Sequence, residues 1–162
     1  MDRLPISTAD GEFIAGYSDQ GLAELRFPSG RTAAATAGKN VPAEIRQWHQ
    51  LTTAVVKAVL AGSKPAELPP LDLSRGTKFQ QSVWHAMRKI KLGHTQSYGE
   101  IAAAIGNPKA VRAVGGACGA NPIPVIVPCH RVLAANQKIG GFSGGLEWKR
   151  KLLAIEKIRV VQ

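Results

Sequence analysis

The sequence predicts an α+β fold in two parts. A small N-terminal β-hairpin and helix (residues 1–74) is expected to pack on a mostly helical C-terminal domain (residues 75–162) containing a helix-turn-helix. Three observations predict this. Short strand-like runs flank a turn cluster near the start, whereas beyond residue 77 apolar residues recur at three- and four-residue steps behind two capping patterns. Between them, Gly62-Ser63-Lys64-Pro65 and Leu68-Pro69-Pro70 read as a helix-breaking linker. The charge divides at the same place. Residues 1–74 carry 7 basic and 8 acidic side chains and residues 75–162 carry 14 and 3, so the net +10 is −1 on the first part and +11 on the second.

In the first part, Glu12-Phe13-Ile14-Ala15-Gly16-Tyr17 and Leu22-Ala23-Glu24-Leu25-Arg26-Phe27 are strand candidates, joined by Ser18-Asp19-Gln20-Gly21. From Pro42 to about Leu60, the residues Ile45, Trp48, Leu51, Val55 and Val59 mark one buried helical face, with Pro42 acceptable in the first turn. Nothing here concentrates chemistry, and the expectation is a supporting domain. The second part opens with Thr77-Lys78-Phe79-Gln80, a capping box, followed by Val83, Met87 and Ile90 on one face. Ser97-Tyr98-Gly99-Glu100 repeats the pattern ahead of Ile101 and Ile105. Gly106-Asn107-Pro108 stops that helix, and Lys109 to Val114 reads as the next. Two short helices across a Gly-containing turn outline a helix-turn-helix, although any small helical domain contains such pairs. On this evidence Arg112 is equally a reader of nucleic acid or a solvated surface charge.

Composition narrows the function. A hydrophobic share of 44% supplies a core, which excludes wholesale disorder. The longest strongly apolar run, Pro122 to Pro128, is far too short to span a bilayer, and the N-terminal residues lack an apolar signal core, so a cytoplasmic address is expected. Two cysteines, Cys118 and Cys129, make no disulfide framework, and no Cys/His spacing fits a metal, so neither metal nor cofactor is expected. A +11 segment seeks a polyanion, because each neutralised phosphate releases condensed counterions; the same surplus also suits solubility or an anionic membrane surface.

The reactive candidate is Cys129. Val125-Ile126-Val127 reads as a buried strand, Pro128 ends it, and Cys129-His130-Arg131 follows at once on a rigid mount. A cysteine beside a histidine has the ingredients of an activated thiolate. Adjacent side chains rarely point the same way, so His130 would reach Cys129 through a water. Of the three acids in this half, Glu156 lies among Leu152, Leu153 and Ile155, where an unpaired carboxylate would be costly, which makes it the candidate orienter of the imidazole. A buried inert cysteine is the plain alternative, and Cys118, with no neighbouring His or acid in sequence, is read that way. A cysteine hydrolase would use the thiolate but leave the +11 unexplained.

Ile126-Val127-Pro128-Cys129-His130-Arg131-Val132 resembles the signature of the O6-alkylguanine-DNA alkyltransferases (methylated-DNA–protein-cysteine methyltransferases). Gly106 to Ala110, Arg112 to Ala117, Asn121-Pro122, Gly140 to Leu146 and Leu152 to Glu156 resemble the family in order and spacing, so the likeness covers roughly residues 75–158. It implies minor-groove entry of the helix-turn-helix, with Arg112 taking the place of an extruded nucleotide and Lys109 also on DNA. Tyr98 would assist flipping and donate to guanine N3. Cys129 would be the alkyl acceptor, His130 its water-bridged base and Glu156 the carboxylate that orients it. Asn121 would tie the recognition helix to the active-site turn. Main-chain carbonyls of Cys129 and Val132 would accept from the guanine amino group, Ser143 would donate to O6, and Arg131 would be structural. The implied partner is double-stranded DNA containing O6-alkylguanine, with O4-alkylthymine a further candidate lesion, met by a monomer that acts once.

Three departures matter. Gly119 stands where many relatives carry a polar or basic side chain, and Phe142 where some carry Tyr. The first part lacks the Cys/His set that holds zinc in some animal members. Pro124 and Gly144 match positions where some relatives are bulkier, which implies that large O6 adducts are accepted. A non-catalytic lesion sensor of similar sequence would carry Trp or Ala in place of Cys129, and a transcription factor gives no reason for Pro-Cys-His-Arg. The resemblance favours the stand-alone form over one fused to a transcriptional activator.

Overall fold

Strand pairing begins earlier than the hairpin expected from sequence. The computed structural model describes residues 1–29, 40–142 and 144–161, and within them the chain separates into two units, Met1–Leu73 and Ser74–Gln162. In the first, β1 (Asp2–Thr8), β2 (Gly11–Tyr17) and β3 (Leu22–Arg26) form an antiparallel sheet in that order. Pro5 hides β1 from a sequence pattern, yet it is admissible on an edge strand, where a missing N–H breaks no ladder on the open side. β2 is central, and Phe13, Ile14, Ala15 and Tyr17 are all buried, so the inside–outside alternation of a one-sided strand is absent there. The segment after Pro70 is not a free linker. Leu71 bridges Leu22, and the Ser18 hydroxyl donates to Asp72 Oδ2 at 2.5 Å.

Helix α1 (Ala43–Leu60) lies on β1 and β2. Ile45, Val55, Val56 and Val59 are buried, each contributing roughly 1.5–3 kcal/mol by leaving water. Trp48 and Leu51 flank that face half-buried. His49 also faces the sheet. Its Nε2–H donates to the Pro5 carbonyl at 3.0 Å, so Nδ1 accepts from the Tyr17 hydroxyl at 2.8 Å.

The second unit builds the site. α2 (Lys78–Arg88) and α3 (Tyr98–Ala104) each start with a complete capping box, Thr77 with Gln80 and Ser97 with Glu100. Glu100 also carries negative charge at the N-terminus of α3. α3 ends in a Schellman turn, in which Gly106 N–H donates to Ala103 and Asn107 N–H to Ala102. Gly106, at φ +80°, takes the left-handed conformation that this turn requires. The next helix, α4, runs Val111–Gly119 rather than from Lys109, which stays in the turn. α2, α3 and α4 pack on one another around Val83, Met87, Ile101 and Val114, and the Trp84 indole donates to the Ala117 carbonyl at 2.8 Å.

A correction concerns Val125–Val127. The three are interior, as expected, but form a turn instead of a strand. Val127 N–H bonds the Ile123 carbonyl, and Val125 sits at φ +75°. A β-branched residue in that region stores about 1–3 kcal/mol of strain, held by the packing around it. The regular pairing comes later, where β4 (Gln96–Ser97) and β5 (Val132–Leu133) make a two-stranded parallel ladder. α5 (Leu146–Ile155) packs against the 3₁₀ turn Cys129–Arg131 between these segments.

Candidate active site

Cys129 opens that 3₁₀ turn. Its N–H donates to the Val127 carbonyl at 2.8 Å, and the Arg131 N–H donates to Pro128 at 3.0 Å. The cysteine is buried yet lines a cavity of about 420 Å³ with Tyr98, Gly115, Cys118, Gly119, Gly141 and Phe142. A deep thiol opening onto a hollow of this size suits a small-molecule-sized ligand delivered to it.

Behind the thiol, His130 is fully buried and its Nε2 lies 2.5 Å from Glu156 Oε2. Glu156 caps the end of α5 and accepts two more bonds at Oε1, from Arg131 Nε at 2.8 Å and the Gly93 N–H at 3.0 Å. Burial by itself would raise this carboxyl. The hydrogen bonds from His130, Gly93 and Arg131 outweigh it and hold the group down to about 2. Glu156 is therefore ionised and can only accept, which puts a proton on His130 Nε2 and leaves the lone pair on Nδ1. Nδ1 is the one buried side-chain nitrogen or oxygen without a hydrogen-bond partner among the described residues. Burial keeps the imidazole below its ordinary range, against the pull of Glu156, so at neutral pH it is an unprotonated base.

Burial likewise pushes the Cys129 thiol up to about 11, while the Asn121 side chain and the Lys149 charge draw it down. Asn121 Nδ2 donates to the Val127 carbonyl at 2.8 Å and its Oδ1 accepts from Ile123 N–H at 3.0 Å, so this residue after α4 braces the turn under Cys129. Tyr98, the first residue of α3, lines the same cavity; burial raises its phenol, with the nearby Cys118 adding to the effect. Gly140 is at φ +70°, and a Cβ there would lie 2.8 Å from the Tyr98 hydroxyl, so this turn of chain must be glycine for the tyrosine to keep its place.

The remaining expected residues fall as follows. Arg112 is exposed on the first turn of α4 and Lys109 is exposed just before it, both away from the cavity lining. Val132 is buried on β5 and Pro124 is buried in the turn; neither they nor the partly exposed Gly144 lines the cavity. Ser143 lies outside the described residues. Arg131 holds Glu156 and also donates from Nη1 to the Ile90 carbonyl at 2.8 Å, a bracing position. No group of three or more potential metal ligands occurs among the described residues, and no helix among them is long and apolar enough to cross a membrane.

Two residues escaped sequence reasoning. Cys118 stands on the wall of the cavity that holds Cys129, its thiol 3.5 Å from Met87 Sδ and pushed up to about 12 by burial. Lys149 is completely buried, with Nζ donating to the carbonyls of Val132 at 2.8 Å and Gly141 at 3.1 Å. In sequence it is one basic residue in the run Lys149-Arg150-Lys151, and only the apolar spacing of Leu152 and Leu153 hints that position 149 faces inward.

Fold and site together define a helix-turn-helix protein with a buried cysteine backed by a histidine–glutamate pair. The family model described as 6-O-methylguanine DNA methyltransferase, DNA binding domain, matches residues 78–158. A methylated-DNA–protein-cysteine methyltransferase of Methanosarcina acetivorans is 40% identical over 149 residues, 90% of this chain and 92% of that protein. One from Haemophilus influenzae is 59% identical over 83 residues, 51% of this chain; that match spans 46%, or about half, of the relative's own length. The crystal structure of Mycobacterium tuberculosis OGT in complex with DNA has a TM-score of 0.78 at 40% identity, covering 94% of this chain and 91% of that one. The chain belongs to the methylated-DNA–protein-cysteine methyltransferase family.

Proposed function

We propose that this protein repairs DNA by moving an alkyl group from O6-alkylguanine to Cys129, once per molecule. The observation that carries the reading is the unpartnered Nδ1 of His130, a base whose tautomer Glu156 sets, next in sequence to a thiol that opens onto a cavity. The Cys129 proton passes through a bridging water to His130 Nδ1, and the thiolate attacks the alkyl carbon in line with the C–O6 bond. A C–S bond forms, the C–O6 bond breaks, and its electron pair leaves with guanine. Tyr98, facing the same cavity, donates to the base and eases that charge, and the proton held on His130 returns to the product through water. The thioether left on Cys129 has no acidic proton and is a poor leaving group, so no group in the site regenerates the thiol. The cavity needs no metal or cofactor for this displacement.

A substituent inside a duplex is out of reach of a buried thiol, so the damaged nucleotide has to leave the stack. The exposed Arg112, at the start of α4, supports its assignment as the side chain that fills the gap, and Lys109 that of a phosphate contact. The +11 of residues 75–162 supports sequence-independent holding of double-stranded DNA by a monomer, consistent with a cytoplasmic protein. The small residues Gly115, Gly119 and Gly141 on the cavity wall support acceptance of large O6 substituents such as benzyl. Incubation with an oligonucleotide containing O6-methylguanine should add one methyl group to the intact protein, mapped by peptide mass to Cys129 and absent in Cys129→Ser. No mass gain refutes the proposal.

A further inference from the structure

Lys149 is the charged side chain most thoroughly removed from water among the described residues, and its hydrogen-bond partners there are the carbonyls of Val132 and Gly141, not a carboxylate. An ammonium buried without an anion is costly, so its retention calls for a partner that acquires charge. The groups facing it are titratable but ordinarily neutral: Tyr98 from α3, whose ring centroid is 6.0 Å from Nζ, Cys118 from α4, and Cys129 and His130 from the 3₁₀ turn. Of these, Cys129 is the one that must become an anion for a displacement to occur. The same ammonium joins the segment just after the cysteine, at Val132, to the cavity wall at Gly141.

We propose that Lys149 is a positioning residue of the acceptor site, pinning Gly141 to Val132 and supplying the positive charge that favours the thiolate at Cys129. The inference rests on the alkyl-transfer reading for its purpose, but its test uses no DNA and no alkylguanine, so the two can fail separately. Burial draws the lysine down to about 8, so it still holds its proton at neutral pH and loses it within an accessible range.

The probe is iodoacetamide, with labelling at Cys129 and at Cys118 quantified separately by peptide mass across a pH series. In Lys149→Met the midpoint of Cys129 labelling should move up by at least one unit, slowing labelling at neutral pH about tenfold. Lys149→Arg, which keeps the charge, should bring it back towards the wild-type value. A folded Lys149→Met with an unmoved midpoint overturns the proposal, since loss of packing alone would leave the thiol's titration where it was. Should the methionine variant not fold, the wild-type protein decides. A thiolate beside an ammonium carries the same number of protons as a thiol beside an amine, so their ratio does not change with pH. The labelling rate should therefore flatten above about pH 8, where the lysine titrates, before rising again. A rate that climbs tenfold per unit throughout pH 7 to 10 overturns the charge coupling.

Discussion

Replacing Glu156 by Gln tests the centre most directly, because this one carboxylate accepts from His130, Arg131 and Gly93. Its carboxyl is lowered from 4.5 to about 2 in the folded protein, and its side chain is 1% exposed, so solvent screening is slight. At about 1.4 kcal/mol per unit, the ionised form contributes about 3 kcal/mol to the stability of the fold. The sign follows from the direction of the shift. A lowered carboxyl stabilises fully above its unfolded value and loses that contribution as the pH falls towards its folded one. The gap between wild type and Glu156→Gln in urea unfolding, followed by tryptophan fluorescence, should stay near 3 kcal/mol from pH 7 to about pH 4.5. By about pH 3 it should shrink to less than half, since the wild-type carboxyl then gains little from folding. Alkyl transfer should slow by about two orders of magnitude, as the amide no longer fixes the proton on Nε2. A gap under about 1 kcal/mol, or one constant over the whole pH range, would refute the claim that ionised Glu156 organises the site.

Four further outcomes are expected. Tyr17→Phe removes the donor to His49 Nδ1 and should cost about 1 kcal/mol in urea unfolding. Burial lowers His49, so its contribution is full above the ordinary value of 6.5 and drains away as the pH falls through the lower folded value; His49→Gln should flatten that acid-side loss. Gly140→Ala forces a Cβ to within 2.8 Å of the Tyr98 hydroxyl at a left-handed position, and should slow alkyl transfer at least tenfold while DNA affinity holds, measured by single-turnover kinetics and fluorescence anisotropy. Lys109→Ala should weaken DNA binding alike for all sequences and reduce the slope of log K against log salt by about one; an unchanged slope would remove Lys109 from the interface.

Legibility in the sequence followed how local the cause was. Thr77–Gln80 and Ser97–Glu100 are closed within four residues, and both capping boxes form as written. Gly106-Asn107-Pro108 likewise carries its own turn. Strand β1 was hidden because Pro5 is excluded from central strands and admitted only at an edge, and edge status depends on partners elsewhere. Val125–Val127 have strand-forming side chains, yet the demand to brace Cys129 from Asn121 bends them into a strained turn. Strand propensity lost there to the turn bond from Val127 N–H to the Ile123 carbonyl and to the Asn121 side chain, as it commonly does at functional sites.

The amino-acid sequence by itself singled out the candidate pair, Cys129 and His130, because chain connectivity places them together on a short turn. It also determined the basic half and the two capped helices, which are local or additive properties. The apolar neighbours of Glu156 already pointed to it as the acid on the histidine, but only the tertiary structure decided the tautomer and the further partners of that carboxylate, since Glu156 reaches His130 across 26 residues and Gly93 across 63. It alone turned Lys149 inward from a run of three basic residues and brought Cys118 to the wall beside Cys129. Burial and partnership are relations between distant segments, and they set the charge state of every group in the site.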